Sequence, residues 1–307
     1  MTHAIDLQSV TRTFGRVTAL DNVNLTIPEG SICGLLGRNG AGKTTIMSIV
    51  SGQDRPTTGR VEVLGHAPFE NESVLSRISF VRDNQRYPDG YQLRHVLRIA
   101  PEFAPHWNAE VAAELVDGFR IPAKTVLKKF SRGQLSSVAI VLGLASRAPV
   151  TLLDEPYLGL DVTARALFHD MLLRDYTAHP RTILLSTHLI DESEALFDRV
   201  VIVDRGRVCV NSERDDTQNL AFTLTGSTDA VGRLAARHTV LRSHSIGGLT
   251  SVTLRGAADD ETRAEADVLG AWIAPASLQE LVAAFGEGPA DSIPGSVPIP
   301  ATKGARA

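Results

Sequence analysis

Residues 35–45 read LLGRNGAGKTT. Gly37, Gly40 and Gly42 leave the backbone bare, and Lys43, Thr44 and Thr45 follow at once. A loop with so little side chain can grip only what backbone amides grip, which is an anion. Gly37-Arg38-Asn39-Gly40-Ala41-Gly42-Lys43-Thr44 satisfies the phosphate-loop pattern G-x-x-x-x-G-K-[ST] without a mismatch, after the strand-like SICGLLG and before a helix-like run. Small residues let consecutive N–H groups curl into an anion nest. The helix N-terminus adds its partial positive charge. In such a loop Lys43 reaches the outer phosphates of a nucleotide and the Thr44 hydroxyl holds Mg2+. The bland alternative is a glycine turn between a strand and a helix.

The run VTLLDEP supplies acids to match. Asp154 ends a continuous apolar stretch and would bind magnesium through its hydration shell. Glu155 follows at the strand exit, where a carboxylate can face the γ-phosphate and polarise a water. General bases of this kind contribute about 10²–10⁴-fold. An acidic pair after a strand is weak by itself; beside an intact phosphate loop it is strong.

The elements that must position these residues can be read from periodicity. AIDLQSVTRTF, LDNVNLTIPEGSICGLLG and RVEVLG alternate as strands, and GKTTIMSIVSG changes to helical spacing with Ile46, Ile49 and Val50 on one face. After RISFVRD the stretch 91–148 is mostly helical, interrupted by turns bearing proline and tryptophan. Strand and helix then alternate through VTLLDEP, TARALFHDMLLRDY, RTILLSTH and LIDESEALF to RVVIVDRGRVCV, a hairpin-like pair turning at Arg205-Gly206. That order predicts an α/β core with parallel strands, an antiparallel sheet in front and an inserted helical lobe. The predicted divisions are a nucleotide-binding domain over 1–214, with the lobe at about 88–148, a small α+β accessory domain over 215–286, and a disordered tail over 287–307.

The chain has 307 residues, 43% hydrophobic and 21% charged, with a net charge of -4. That balance gives no basic surplus for nucleic acid, so no nucleic-acid partner is expected. Cys33 and Cys209 each lie in an apolar strand-like run and read as buried thiols, without CxxC spacing for zinc. The start, MTHAIDLQSV, lacks the pattern of a secretory signal, and no stretch reaches the roughly 20 apolar residues that span a bilayer. Any membrane crossing is expected of another chain.

Two further segments narrow the reading: FSRGQLSSVAIVLGLA at 130–145, and LLSTHLIDESEAL, where a strand delivers His188. With the phosphate loop and LLDEPYLGLD, they resemble the nucleotide-binding subunit of ABC transporters over about residues 4–212, most closely the ATPases of bacterial ABC-2 type exporters. The resemblance implies that Phe14 stacks on adenine, a position that would otherwise be read as core. It implies that Ser131, Gly133 and Gln134 bind the γ-phosphate held by a second copy, and that Asp161 closes the loop crossing between the copies. Glu155 and His188 become the catalytic pair. ATP and Mg2+ become the ligands, and a second copy and a separate transmembrane permease the partners. The expected place is the cytoplasm, peripheral to the inner face of the cell membrane.

Two departures stand out. The signature, commonly Leu-Ser-Gly-Gly-Gln, is here Phe130-Ser131-Arg132-Gly133-Gln134. The metal- and permease-sensing glutamine is matched by Gln85 if the loop is slightly longer, or else its position holds Asp83. The implied function is ATP-driven export of an unidentified substrate, with drugs and peptides as candidate classes. The alternatives are a soluble ABC-type ATPase, which normally carries two cassettes or a coiled-coil insertion, and a GTPase or small-molecule kinase, which would lack SRGQ and the histidine.

Overall fold

The computed structural model describes residues 3–82 and 85–286. The chain forms two compact units, divided between Asn211 and Ser212. The first opens with β1 (His3–Phe14) and β2 (Val17–Pro28), paired antiparallel from Phe14↔Val17 at the turn to His3↔Pro28. β3 (Ile32–Leu36) is buried at all five positions, as a strand covered on both faces must be, and it feeds α1 (Lys43–Val50). β4 (Thr58–Val63) returns to β1 and completes a sheet ordered β2-β1-β4. A single turn, α2 (Glu72–Leu75), precedes β5 (Ile78–Arg82).

The helical lobe comprises α3 (Leu93–Phe103), α4 (Ala109–Gly118) and α5 (Arg132–Ala145). α3 runs through Pro101 instead of stopping before it. The proline sits in the last turn, so its missing N–H removes one terminal bond and leaves the rest of the helix intact. β6 (Val150–Asp154), α6 (Val162–Ala178), β7 (Thr182–Ser186), α7 (Ile190–Ser193), β8 (Arg199–Asp204) and β9 (Arg207–Glu213) follow. β8 turns into β9 at Arg205 and Gly206, both at positive φ, the twist a two-residue hairpin needs. Strand order in the large sheet is β5-β6-β7-β3-β8-β9, parallel from β5 to β8. The unit is thus α/β, a largely parallel sheet with helices, an antiparallel sheet of three strands and an inserted helical lobe.

Cys33 is buried on β3, but Cys209 is exposed, contrary to the sequence expectation. β9 is an edge strand, and its two-residue period turns Val210 inward and Cys209 outward.

The second unit runs β10 (Ala221–Ser227), α8 (Thr228–Ala235), β11 (Val240–Ile246), β12 (Leu249–Arg255), α9 (Asp260–Val268), β13 (Trp272–Pro275) and α10 (Leu278–Gly286). The sheet order is β11-β12-β10-β13. This β-α-β-β-α-β order is ferredoxin-like. Phe222, Leu224, Val252 and Leu254 pack with Val231, Leu234 and Ala266 in its core.

Asp175, on α6, is the electrostatic anchor beneath the first unit's sheet. Arg147 Nη2 lies 2.7 Å from its Oδ1 and Arg181 Nη1 lies 2.8 Å from its Oδ2; the Asp175 and Arg181 side chains are 3% and 4% exposed. Burial lowers the Arg181 pKa, and the Asp175 carboxylate opposes that shift. Removing the carboxylate strands two guanidinium groups, so Asp175→Ala is expected to destabilise the first unit by about 3–5 kcal/mol. The measurement is the shift in its urea unfolding midpoint.

Candidate functional site

Parallel strands end together, and what leaves β3, β6 and β7 therefore converges at one edge of the sheet. From β3 comes the glycine loop into α1. Gly37 has φ 148°, and a Cβ built on it would stand 2.2 Å from the Val203 carbonyl oxygen, so no side chain fits there. Lys43 Nζ donates to the carbonyls of Gly37 at 2.7 Å and Arg38 at 3.2 Å. Burial pushes the Lys43 ammonium pKa down, and the carboxylates of Glu155 and Asp154 pull it back. A cavity of about 320 Å³ is lined by Asn39, Gly40, Gly42, Lys43, Thr44, Thr45, Asp154 and Glu155, with Ala19 of β2 at its rim.

Asp154 ends β6 and is buried. Its Oδ2 accepts from the Thr44 hydroxyl at 2.8 Å and its Oδ1 from the Ser186 hydroxyl at 2.7 Å. Ser186 ends β7 directly beside it in register. Thr44 Oγ1 with the Asp154 carboxylate is the hard-oxygen donor set that magnesium prefers, so these residues fit that ion.

Glu155 leaves the strand with φ 51°, an uncommon backbone for a residue with a Cβ. Its N–H still donates to the Ser186 carbonyl at 3.1 Å. Its side chain meets His188, whose Nδ1 lies 2.7 Å from Oε2. The histidine side chain is 51% exposed and the glutamate's is 16% exposed. One strand end therefore supplies a carboxylate and the next orients it.

The signature segment starts a helix. Ser131 caps α5, accepting from the Gln134 N–H at 3.2 Å, while Gln134 Oε1 accepts from the Ser131 N–H at 3.0 Å. Phe130, where the family commonly has leucine, is buried. Arg132 is the first helical residue. Gly133 packs against the loop after β6: a Cβ on it would lie 2.2 Å from the Gly159 carbonyl oxygen. The Ser136 hydroxyl donates to the Leu158 carbonyl at 2.6 Å. Asp161 caps α6, accepting from the Ala164 N–H at 2.8 Å.

Phe14 is 49% exposed at the end of β1, so it is not core. Gln85 lines a different space, an apolar groove of about 370 Å³ between β5 and α3, and is not among the residues lining the cavity around Lys43. Asp83 lies outside the described residues. Sequence reasoning missed Ser186, Ser136 and Tyr157. Tyr157 is buried, its hydroxyl 3.0 Å from His169 Nε2 and 3.1 Å from Ser193 Oγ. The lateral order of strands brings Ser186 beside Asp154, while Ser136 and Tyr157 act on the loop after β6 and on α7, and no spacing along the chain announces any of these contacts.

The profile of the family described as ABC transporter matches residues 20–158. "Aliphatic sulfonates import ATP-binding protein SsuB 1" is 33% identical over 208 residues in Burkholderia lata, covering 68% of this chain and 63% of that one. Its counterpart in Burkholderia cenocepacia is 31% identical over 264 residues, covering 86% and 77%. "Nod factor export ATP-binding protein I" of Rhizobium meliloti is 33% identical over 211 residues, covering 66% and 62%. The chain thus spans less than two thirds of the length of two of these relatives. Among solved structures, the dimeric post-hydrolysis state of an ATP-binding cassette bound to ADP and Pi superposes with a TM-score of 0.59 at 25% identity, covering 68% of this chain and 98% of that one. The glycine loop, the acidic strand end, the signature helix and the histidine stand in one fold with relatives that share it, and the chain belongs to the family of ABC transporter ATP-binding subunits.

Proposed function

We propose that this chain binds Mg-ATP at the glycine loop, hydrolyses it between two head-to-tail copies, and so powers export of a substrate through a separate membrane permease. The observation that carries the reading is the Glu155–His188 pair, whose glutamate lines the cavity with Lys43, Thr44 and Asp154. The loop amides and Lys43 hold the phosphates, and Gly37, Arg38, Asn39, Gly40, Ala41, Gly42 and Thr45 complete the cradle. Thr44 and Asp154 would hold magnesium, which when bound offsets phosphate charge, and Gln85 or Asp83 would add to that shell. Glu155 takes the proton from the attacking water. His188, with its Nδ1–H donated to Glu155, fixes the direction in which that carboxylate acts.

One copy leaves the γ-phosphate covered from one side. The Ser131 hydroxyl and the N-terminus of α5, flanked by Gly133 and Gln134, form an end that attracts anions and supply the second side from a partner copy around a twofold axis. Asp161 lies on the loop packed against that end. The dimeric cassette structure supports this arrangement.

No helix among the described residues is long and apolar enough to cross a membrane. The groove between β5 and α3 suits a permease segment: Phe80, Tyr87 and Trp107 line it, Phe103 on its rim is 78% exposed, and the buried Tyr87 hydroxyl has no hydrogen-bond partner among the described residues. Attachment there would place the chain in the cytoplasm against the inner face of the membrane. Relatives are named for import and for export alike. The export reading rests on the ferredoxin-like unit after the cassette, together with the ASRAPVTLLDEPYLGLD run. Uptake and efflux assays on cells with and without the chain decide the direction.

The test of the chemistry is Glu155→Gln in the purified chain. Turnover is expected to fall about 10²–10⁴-fold, with Mg-ATP still bound and the dimer trapped in size-exclusion chromatography; wild-type turnover would sink the reading. Lys43→Ala removes a charged hydrogen-bond donor, and Mg-ATP affinity measured by calorimetry is expected to fall about ten- to hundredfold. Gly133→Ala pushes the signature helix off the Gly159 carbonyl, and ATP-induced dimers are expected to disappear while nucleotide binding to the single copy persists.

A further inference from the structure

Phe14 does not stand alone at the end of β1. The Arg12 guanidinium carbon lies 4.3 Å from the centroid of its ring. The β1–β2 ladder is irregular between Arg12 and Thr13, and the guanidinium nevertheless lies over the face of the Phe14 ring. Arg12 is itself held: its Nε donates to Asp54 Oδ2 at 2.8 Å, and its Nη2 lies 2.7 Å from Oδ1. Both side chains of that fork are 23% exposed. Asp54 comes just after α1, the helix that begins at Lys43, and its N–H donates to the Ser48 carbonyl of α1 at 3.1 Å. The opposite end of the same helix therefore carries the phosphate loop.

The ribbon ending at Phe14 also touches that loop. A Cβ on Gly42 would lie 3.0 Å from the Ala19 carbonyl oxygen, and Ala19 is at the rim of the Lys43 cavity. The ring of Phe14 is thus fixed relative to the phosphate cradle from two sides: through β2, and through Arg12, Asp54 and α1.

We propose that Arg12, clamped by Asp54, is the positioning residue for the nucleobase: it locks the Phe14 ring and polarises its π face so that the exposed face takes a purine. This rests on the ATP-binding reading above. The physical reason is twofold. A cation over one face of an aromatic ring is attracted to its quadrupole and draws electron density toward itself, which favours an electron-rich base on the other face. A bidentate guanidinium–carboxylate fork also fixes orientation, which a lysine ammonium could not do. Base recognition and phosphate recognition are then registered through one helix.

The experiment titrates the full chain with Mg-ATP and, separately, with Mg-tripolyphosphate, which has the phosphates and no base. The variants are Arg12→Ala, the isosteric Asp54→Asn, Phe14→Ala and the double variant Arg12→Ala/Phe14→Ala. Arg12→Ala and Asp54→Asn are expected to weaken ATP about two- to fivefold, the range of an exposed cation–π contact, and to leave tripolyphosphate unchanged. The double variant is expected to match Phe14→Ala alone, because Arg12 acts only through that ring. The proposal is overturned if Arg12→Ala weakens both ligands equally, if it leaves ATP unchanged, or if its effect multiplies with that of Phe14→Ala. If Phe14→Ala changes neither ligand while both still bind, the phosphate-loop reading survives and this inference fails. If the wild-type chain binds neither ligand, the ATP-binding reading itself has failed.

Discussion

The site depends on one buried carboxylate being shared. Asp154 cannot be left uncompensated at the end of β6, since a buried charge without partners is costly. The Thr44 and Ser186 hydroxyls supply the partners, one to each oxygen. Thr44 belongs to the helix after the phosphate loop and Ser186 to the neighbouring strand, so satisfying one acid ties three elements into a fixed triangle. Glu155 is the next residue out from Asp154, and His188 is the second one out from Ser186. Their 2.7 Å contact follows from the anchoring behind them.

Around that triangle runs a second set of ties. The Ser136 hydroxyl grips the Leu158 carbonyl, and Gly133 lies against Gly159, joining the signature helix to the loop after β6. Arg165 on α6 donates to the Leu160 carbonyl at 3.0 Å and pairs with Glu192 on α7 through two nitrogens. Tyr157 reaches Ser193 on the same short helix. The segment that would meet a second copy is therefore continuous, through polar side chains, with the segment that presents His188. These ties lie in one unit and cross from lobe to sheet, the path along which closure at the interface would have to be felt.

Much of this was legible because phosphate-loop chemistry is local. Backbone amides, a lysine and a threonine must be consecutive to work, so the run 37–45 carries its own diagnosis. The acids after a buried strand were legible beside that loop, His188 through the resemblance that LLSTHLIDESEAL carries, and the parallel core and the helical lobe through periodicity. What was not legible depended on the third dimension. Cys209 sits in an apolar run, yet an edge strand has an outer face. Phe14 reads as core from its own surroundings in the chain, only the resemblance gives it to the adenine, and its exposure at the ribbon's end is visible in the fold alone. Gln85 has the right residue type but lines the groove by α3, because loop length alone does not say which wall a side chain joins. Ser186 and Tyr157 matter only through neighbours far away in sequence.

The backbone of Glu155 has one more consequence. At φ 51° a residue with a Cβ is strained by about 1–2 kcal/mol. Glycine would relieve that tension, and it would also erase the carboxylate. If Glu155 is the base proposed above, folding stability and turnover pull in opposite directions at this position.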